Sequence, residues 1–409
     1  MTGSKDHQDR NVMGARAQAA IARRKAMVRL ALRSSISACA VLAAVPAGAG
    51  QIGCSGSNPV TCTLSGGPYT TREYVKIFGT QGDDDVKSGG ASDSLNVTNN
   101  ATIDISPTSP STFVYGGITA IAQGGFGKDN ANGGAGGKIT FTNNGAITTE
   151  LTTSGFPLLF GIEATSIGGA ADLDNSDNNS NGGTGGVGGT VFVTNNQKLT
   201  VTGASQLGFS GIFAASIGGH GGDQNGSVSG NQKGGAGGSG GTVQADNHGT
   251  ILLGTSSNRI QAPATGGGMI AVSASGDGGT DNGDGGSGGY AAVTNNGSVQ
   301  VYWNDTEGDE TDLFGIGALA TGGNGLASSD PSDAGGAGGQ GGSTNASSSG
   351  EILVDVTNGT KLTGGALAAA TRGGNGGKGP DRDSSGGAGG AAGGASVQLN
   401  DNGTLTTHG

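Results

Sequence analysis

Aromatic side chains make up only 4% of this 409-residue chain, and charged ones only 12%. One wide core of the size 409 residues would need is filled with bulky side chains, so an ordinary globular enzyme fold is excluded. Cysteine is almost missing, with Cys39, Cys54 and Cys62 alone. A structural zinc site needs four ligands, and no histidine lies near these thiols. Long apolar runs are missing too. The run Ile36–Val45 is too short to span a bilayer.

What the chain has instead is glycine, 90 residues of it, and a repeat. Each copy opens with doubled glycines and passes through a short Val/Ile-rich run to an Asn-rich corner. It then climbs through further apolar residues to another Gly-Gly. Marker residues just after the corner are Ala101, Gly145, Gln197, Gly249, Gly297, Gly350 and Gly403, spaced by roughly fifty residues. The glycines lack the every-third period and proline of collagen over any long span. A fixed period of this size signals a solenoid, whose units bury their apolar faces by stacking.

Within a copy, apolar residues alternate on either side of the corner: Val191, Val193, then Leu199, Val201; or Val299 and Val301 after Ala291 and Val293. Period-two β-branched residues predict short strands with one buried face. The corners are assigned to Asn99-Asn100, Asn143-Asn144, Asn195-Asn196, Asp246-Asn247, Asn295-Asn296 and Asp401-Asn402, and stacked amides there can form a ladder. The copy near Ser347–Ser349 loses the Asn and is expected to be weaker. Counting back six and four residues from the closing glycine gives Ile118/Ala120, Ile162/Ala164, Ile212/Ala214, Ile270/Val272, Ile316/Ala318 and Leu367/Ala369. These predict a third strand facing a tight core. Three strands per coil make a parallel β-helix, with either one or two coils per repeat. The blocks Gly182–Gly189, Gly234–Gly241, Gly335–Gly342 and Gly386–Gly394 have two readings. They are flexible surface loops, which is the favoured expectation, or three-residue polyproline-II turns lying side by side.

The first fifty residues read as an export leader. Arg10, Arg16, Arg23, Arg24, Lys25, Arg29 and Arg33 precede the Ile36–Val45 run, and Pro46-Ala47-Gly48-Ala49 offers a cleavage pattern after Ala49. Cys54 follows Gly53 as in a lipoprotein, but Gln51 stands where an aliphatic residue belongs. Eight of the 20 Lys+Arg and two of the 31 Asp+Glu lie in residues 1–49, leaving 12 bases against 29 acids, a net −17. That balance disfavours nucleic acid and anionic lipid as partners. In an exported chain, Cys54 and Cys62 are expected to form a disulfide.

The Gly-Gly-x blocks, then Val-x-Val-Thr-Asn-Asn, then Gly-Ile-x-Ala-x-Ser-Ile-Gly-Gly, resemble the glycine-rich passenger region of type V autotransporters of alphaproteobacterial style. The likeness covers residues 89–409. It implies an all-β, right-handed parallel β-helix, carried to the cell surface through a C-terminal outer-membrane barrel. No barrel strands occur here, and the seventh repeat stops half-way, so a truncated product or a fragment is expected. The expected organisation is a leader over 1–49, an N-terminal cap with the Cys54–Cys62 loop over 50–86, and about seven repeats over 87–409. The chain is expected to be exported and to lie at the outer surface if full length, or in the periplasm or medium if truncated.

Signals for chemistry are thin. His220, His248 and His408 lie in or beside glycine runs, and Asp277, Asp281 and Asp284 cluster without a recurring base. Gly79–Val86 resembles one calcium nonapeptide, unrepeated. Trp303, Asp305, Glu307, Asp309 and Glu310 gather in an insertion, Trp303–Asp312, that offers the best cleft for an enzyme acting on an extracellular polysaccharide or protein. The favoured expectation is a non-catalytic adhesive or surface-coating protein with no cofactor and no metal. Its expected partner is an extracellular matrix or polysaccharide surface.

Overall fold

The computed structural model describes residues 51–408 apart from 57, 72–74, 80–87, 107–114, 129–130, 151–157, 172–180, 206–207, 224–232, 263–264, 306–309, 329–333, 358–360, 363–364, 380–385 and 401–402. The leader, the Gly79–Val86 motif beyond its first residue, and the Asp401-Asn402 corner lie outside the described residues.

The described chain is all β, with no helix among the described residues and none long and apolar enough to cross a membrane. Its strands fall into three long sheets; the first six repeats contribute to all three, and the seventh to the first and second. The first sheet takes Gln51–Ser55, Val60–Ser65, Leu95–Asn99, Ile139–Asn143, Val191–Asn195, Val243–Asn247, Tyr290–Asn295, Ser343–Ser348 and Ala395–Leu399, in that order. The second takes the strands after each corner, from Tyr69–Thr71 through Leu199–Thr202 to Thr404–His408. The third takes longer strands, among them Tyr115–Gln123, Leu158–Ile167, Gly208–Ile217, Thr265–Ala274 and Glu310–Thr321. Neighbours between repeats run parallel, pairing Val191 with Val243 and Asn195 with Asn247. This arrangement is compatible with a parallel β-helix. It uses one turn through the three sheets per repeat, and the segment 50–86 already supplies a strand to each sheet.

Alternation does the work expected of it. In Val191–Asn195 the odd-numbered residues are buried and Phe192 and Thr194 are half-exposed. The inward side chains form one continuous core running from Cys62 to Ala366. Fully burying each such Val, Ile or Leu stabilises the stack by about 1.5–3 kcal/mol. The core is narrow, and the small residue two places after each large one fits it: Ile212 and Ala214 are both fully buried.

The corners form the expected amide ladder. Asn99 Nδ2 donates to Asn143 Oδ1 at 2.7 Å, and the same bond links Asn143 to Asn195, Asn195 to Asn247 and Asn247 to Asn295. All five side chains are buried. Ser348 ends the ladder, its hydroxyl 3.1 Å from Asn295 Nδ2.

Two registers differ from expectation. Asn247, and not Asp246, pairs with Asn195, so the fourth corner is Asn247-His248 and Asp246 faces outward beside Thr194. In the third sheet Ile212 pairs with Met269, and Ala214 with Ala271. Met269 and Ala271 are fully buried, whereas Ile270 and Val272 face the other side. The cause is Ser275. Gly218 follows Ile217, the partner of Ala274, but Ser275 follows Ala274, and the closing glycine comes one residue late.

Candidate interaction surface

The glycine blocks are ordered and bonded, which corrects the expectation of flexible loops. Gly182, Gly185 and Gly188 donate their N–H groups to the carbonyls of Lys233, Ala236 and Ser239, each at 2.9 Å. Gly234, Gly237 and Gly240 do the same to Asp281, Asp284 and Ser287. Every third residue thus bonds the next repeat, which is the three-residue turn of polyproline II. A second set of bonds ties these blocks to the glycines that close each third-sheet strand. Gly169 donates to Gly134, Gly186 to Gly169, Gly219 to Gly186 and Gly238 to Gly219, at 2.7–2.8 Å. The same zigzag continues through Gly276, Gly286, Gly323, Gly339 and Gly374 to Gly390.

Gly-Gly-x follows from this geometry. The first glycine donates along its own row and the second across to the other row, while the third residue faces out. Thr184 and Val187 are exposed, whereas Gly183, Gly185 and Gly186 are buried. A Cβ on Gly238 would fall on the Gly186 carbonyl oxygen, and one on Gly235 on that of Gly183. No other residue allows backbones so close.

Side chains fasten this layer at two levels. Buried serines tie it to the third sheet: Ser166 Oγ donates to Gly137 O at 2.8 Å and accepts from Gly189 N at 2.9 Å. Ser216 accepts from Gly241, and Ser273 donates to Gly241 and accepts from Gly289. On the outer surface, Asn and Asp at third positions accept the N–H of the equivalent residue one repeat on. Asn132 serves Thr184 at 2.8 Å, Asn181 serves Lys233 at 3.0 Å, Asp284 serves Ala337 at 2.7 Å and Asp277 serves Asn324 at 2.7 Å. Two members of the Asp277–Asp281–Asp284 cluster are therefore acceptors within the layer. Among the described residues no three His, Cys, Asp or Glu side chains gather as metal ligands.

The insertion expected to form a cleft begins otherwise. Trp303 is fully buried in the strand Ser298–Asp305, with its ring 5.9 Å from that of Phe209. The short strand Ile260–Ala262 pairs with Trp303–Asp305, and Arg259 holds the Asp355 carboxylate and carbonyl at 2.9 Å. Trp303 is a packing residue and offers no face to a sugar. Residues 306–309, with Glu307 and Asp309, lie outside the described residues, as do the side chains of Asp305, Glu310 and Asp312.

His220 stands at an outward third position, its carbonyl accepting from Ala171, and His248 lies beside Asn296 at the corner. Cys54 is joined to Cys62 across an antiparallel hairpin. One ionisable group was missed in the sequence. Glu163 is 5% exposed on the third sheet, with Thr119 Oγ1 3.3 Å from Oε2 and Thr165 Oγ1 3.5 Å from Oε1. Burial pushes its carboxyl up to about 7, against the two hydroxyl bonds, which lower it. Alternation between Ile162 and Ala164 puts Glu163 opposite the core, so the residue pattern alone reads it as an outward side chain.

No protein-family description, curated protein or solved structure matches this chain.

Proposed function

We propose that this chain is an exported, non-catalytic passenger of autotransporter type, a right-handed parallel β-helix that serves in adhesion or as surface structure. The reading is carried by the unbroken register of its outward residues. Third-position side chains of the glycine layer recur at one place on each repeat, as do the outer side chains of the first sheet, such as Thr142, Thr194 and Thr294. Such an array suits many weak simultaneous contacts with a matrix or polysaccharide surface, and multivalency raises avidity without any one strong site. The basic leader ahead of Ala49 supplies export, and a barrel encoded further on would supply passage to the outer surface.

The test is binding of the purified protein to immobilised polysaccharides and matrix proteins. Replacing the outer residues of one repeat should weaken binding only slightly, and replacing those of four repeats should abolish it. Binding abolished by a single-repeat replacement, or polymer turnover that disappears in Glu310→Gln, would contradict the reading.

A further inference from the structure

The outward side chains of the first sheet differ in kind from those of the second. Register sets Thr63, Thr98, Thr142, Thr194, Thr294 and Ser347 in one column, each half-exposed. Asp246 interrupts it between Thr194 and Thr294, and its carboxylate accepts from Gln244 Nε2 at 2.8 Å. The neighbouring column, from Thr61 through Thr140 to Asn345, holds no charge. At the entry to these strands stand Lys138, over the ring of Phe192, and Tyr290, which is 38% exposed. The glycine-layer column that leads into this sheet, from Ala135 through Val187 to Gln340, is uncharged as well. The second sheet, by contrast, turns Asp104, Glu150, Glu351 and Asp355 outward.

One face is thus nearly neutral on a chain whose residues 50–409 carry a net −17. Interfaces set charge against opposite charge, so a polyanion or polycation calls for a charged face. The groups offered here are hydroxyls and amides, which donate and accept, together with an aromatic ring. They recur at every strand, about 4.8 Å apart. The partner that fits has the same chemistry in the same arrangement: uncharged, rich in hydroxyls and repeating along a line. We propose that the outer face of the first sheet binds the surface of an ordered, uncharged polysaccharide fibre, with the threonine column along its chains and Tyr290 against a sugar ring. A fibre suits this face better than a free chain, because packed chains have already lost the freedom that binding would remove. Weak contacts in register then add along the column. The inference rests on the adhesive reading and names its face and its partner.

Co-sedimentation of the purified protein with microcrystalline cellulose, an uncharged insoluble fibre, tests it. Binding should persist in about 1 M salt, where exposed charges are screened beyond about 3 Å. Soluble cellulose oligomers at equal mass should not compete. Thr98→Val, Thr142→Val, Thr194→Val and Thr294→Val together remove four hydroxyls and should raise the dissociation constant at least about tenfold. Valine is favoured in strands, so the melting temperature should hold. Serine at the same four positions keeps the hydroxyls and should keep binding. Thr148→Val with Thr200→Val, on the outward side of the second sheet, should change nothing. No binding to cellulose, release by salt, competition by the oligomers, a folded valine variant that binds as before, or a folded serine variant that does not bind would each overturn the proposal. Adhesion to a charged polysaccharide or a matrix protein alone would leave the adhesive reading standing without this face, and adhesion to no surface would remove both.

Discussion

The sheets and the glycine layer turn at the same pitch, yet opposite means hold them. In the sheets, side chains do the holding: Val, Ile and Leu fill the core, and Asn99 to Asn295 run a buried amide ladder along one corner. In the glycine layer side chains are excluded, and backbone N–H groups bond carbonyls along and across two rows. One half is specified by what its residues bury, the other by what its residues omit. The lesson concerns substitution. The sheets should tolerate apolar exchange of similar volume, and the layer should tolerate change at apolar third positions such as Val187 and almost none at its glycines.

The largest effect expected is in the sheets. Ile212→Asp places a charge in a fully buried position and should cost several kcal/mol or prevent folding, read as loss of the cooperative thermal transition. Next comes a pH effect local to the third sheet. The Glu163 carboxyl is raised in the fold, so the folded chain holds a proton there that the unfolded chain releases near its ordinary pKa. Stability from this site is therefore fully present below about pH 4.5 and is lost as pH rises to about 7, by up to about 3 kcal/mol. Glu163→Gln should flatten that slope in denaturant titrations across the window, and an unchanged slope would assign it to other groups.

Gly238→Val addresses the layer itself. Its Cβ meets the Gly186 carbonyl oxygen, and overpacking of this kind costs about 1–3 kcal/mol. Val187→Ala, at an exposed third position, should cost under about 0.5 kcal/mol. Equal losses for the pair would erase the contrast. A loss of the same order as that at Gly238 is expected at the corner. Asn195→Ala leaves the amides of Asn143 and Asn247 each without one partner and should cost about 1–3 kcal/mol. Ser348→Ala, at the end of the ladder, should cost about 1 kcal/mol, since its hydroxyl accepts from Asn295 Nδ2 and lies 3.1 Å from the Gly350 carbonyl.

How far the fold is legible from residues alone differs between the halves in the same way. Alternation at Val191, Val193, Leu199 and Val201 marks strands because burial selects side chains, and the Asn corners mark a ladder because buried amides need partners. The glycine blocks give two readings, because absent side chains are equally what a loose loop and a close backbone lattice have in common. Only the strictness of Gly-Gly-x separates them. The errors of register have local causes. Ser275 replaces a glycine and shifts counting by one, hiding Met269 and Ala271, while Asp246 imitates a corner residue beside Asn247. Trp303 reads as surface because its neighbours Asp305 and Glu307 are charged, yet it continues the inward alternation of Val299 and Val301 and packs beside Phe209, between Ile260 and Val356 of the flanking strands.

Hydrogen exchange resolved at single amides decides whether the glycine layer is a bonded lattice. Gly185, Gly186 and Gly238 should exchange as slowly as Val191 and Val193 in the adjacent strand, and together with them as denaturant is raised, because their N–H groups bond neighbouring repeats. Exchange of those glycines at the rate of an unstructured chain, with the strand amides still protected, would contradict it.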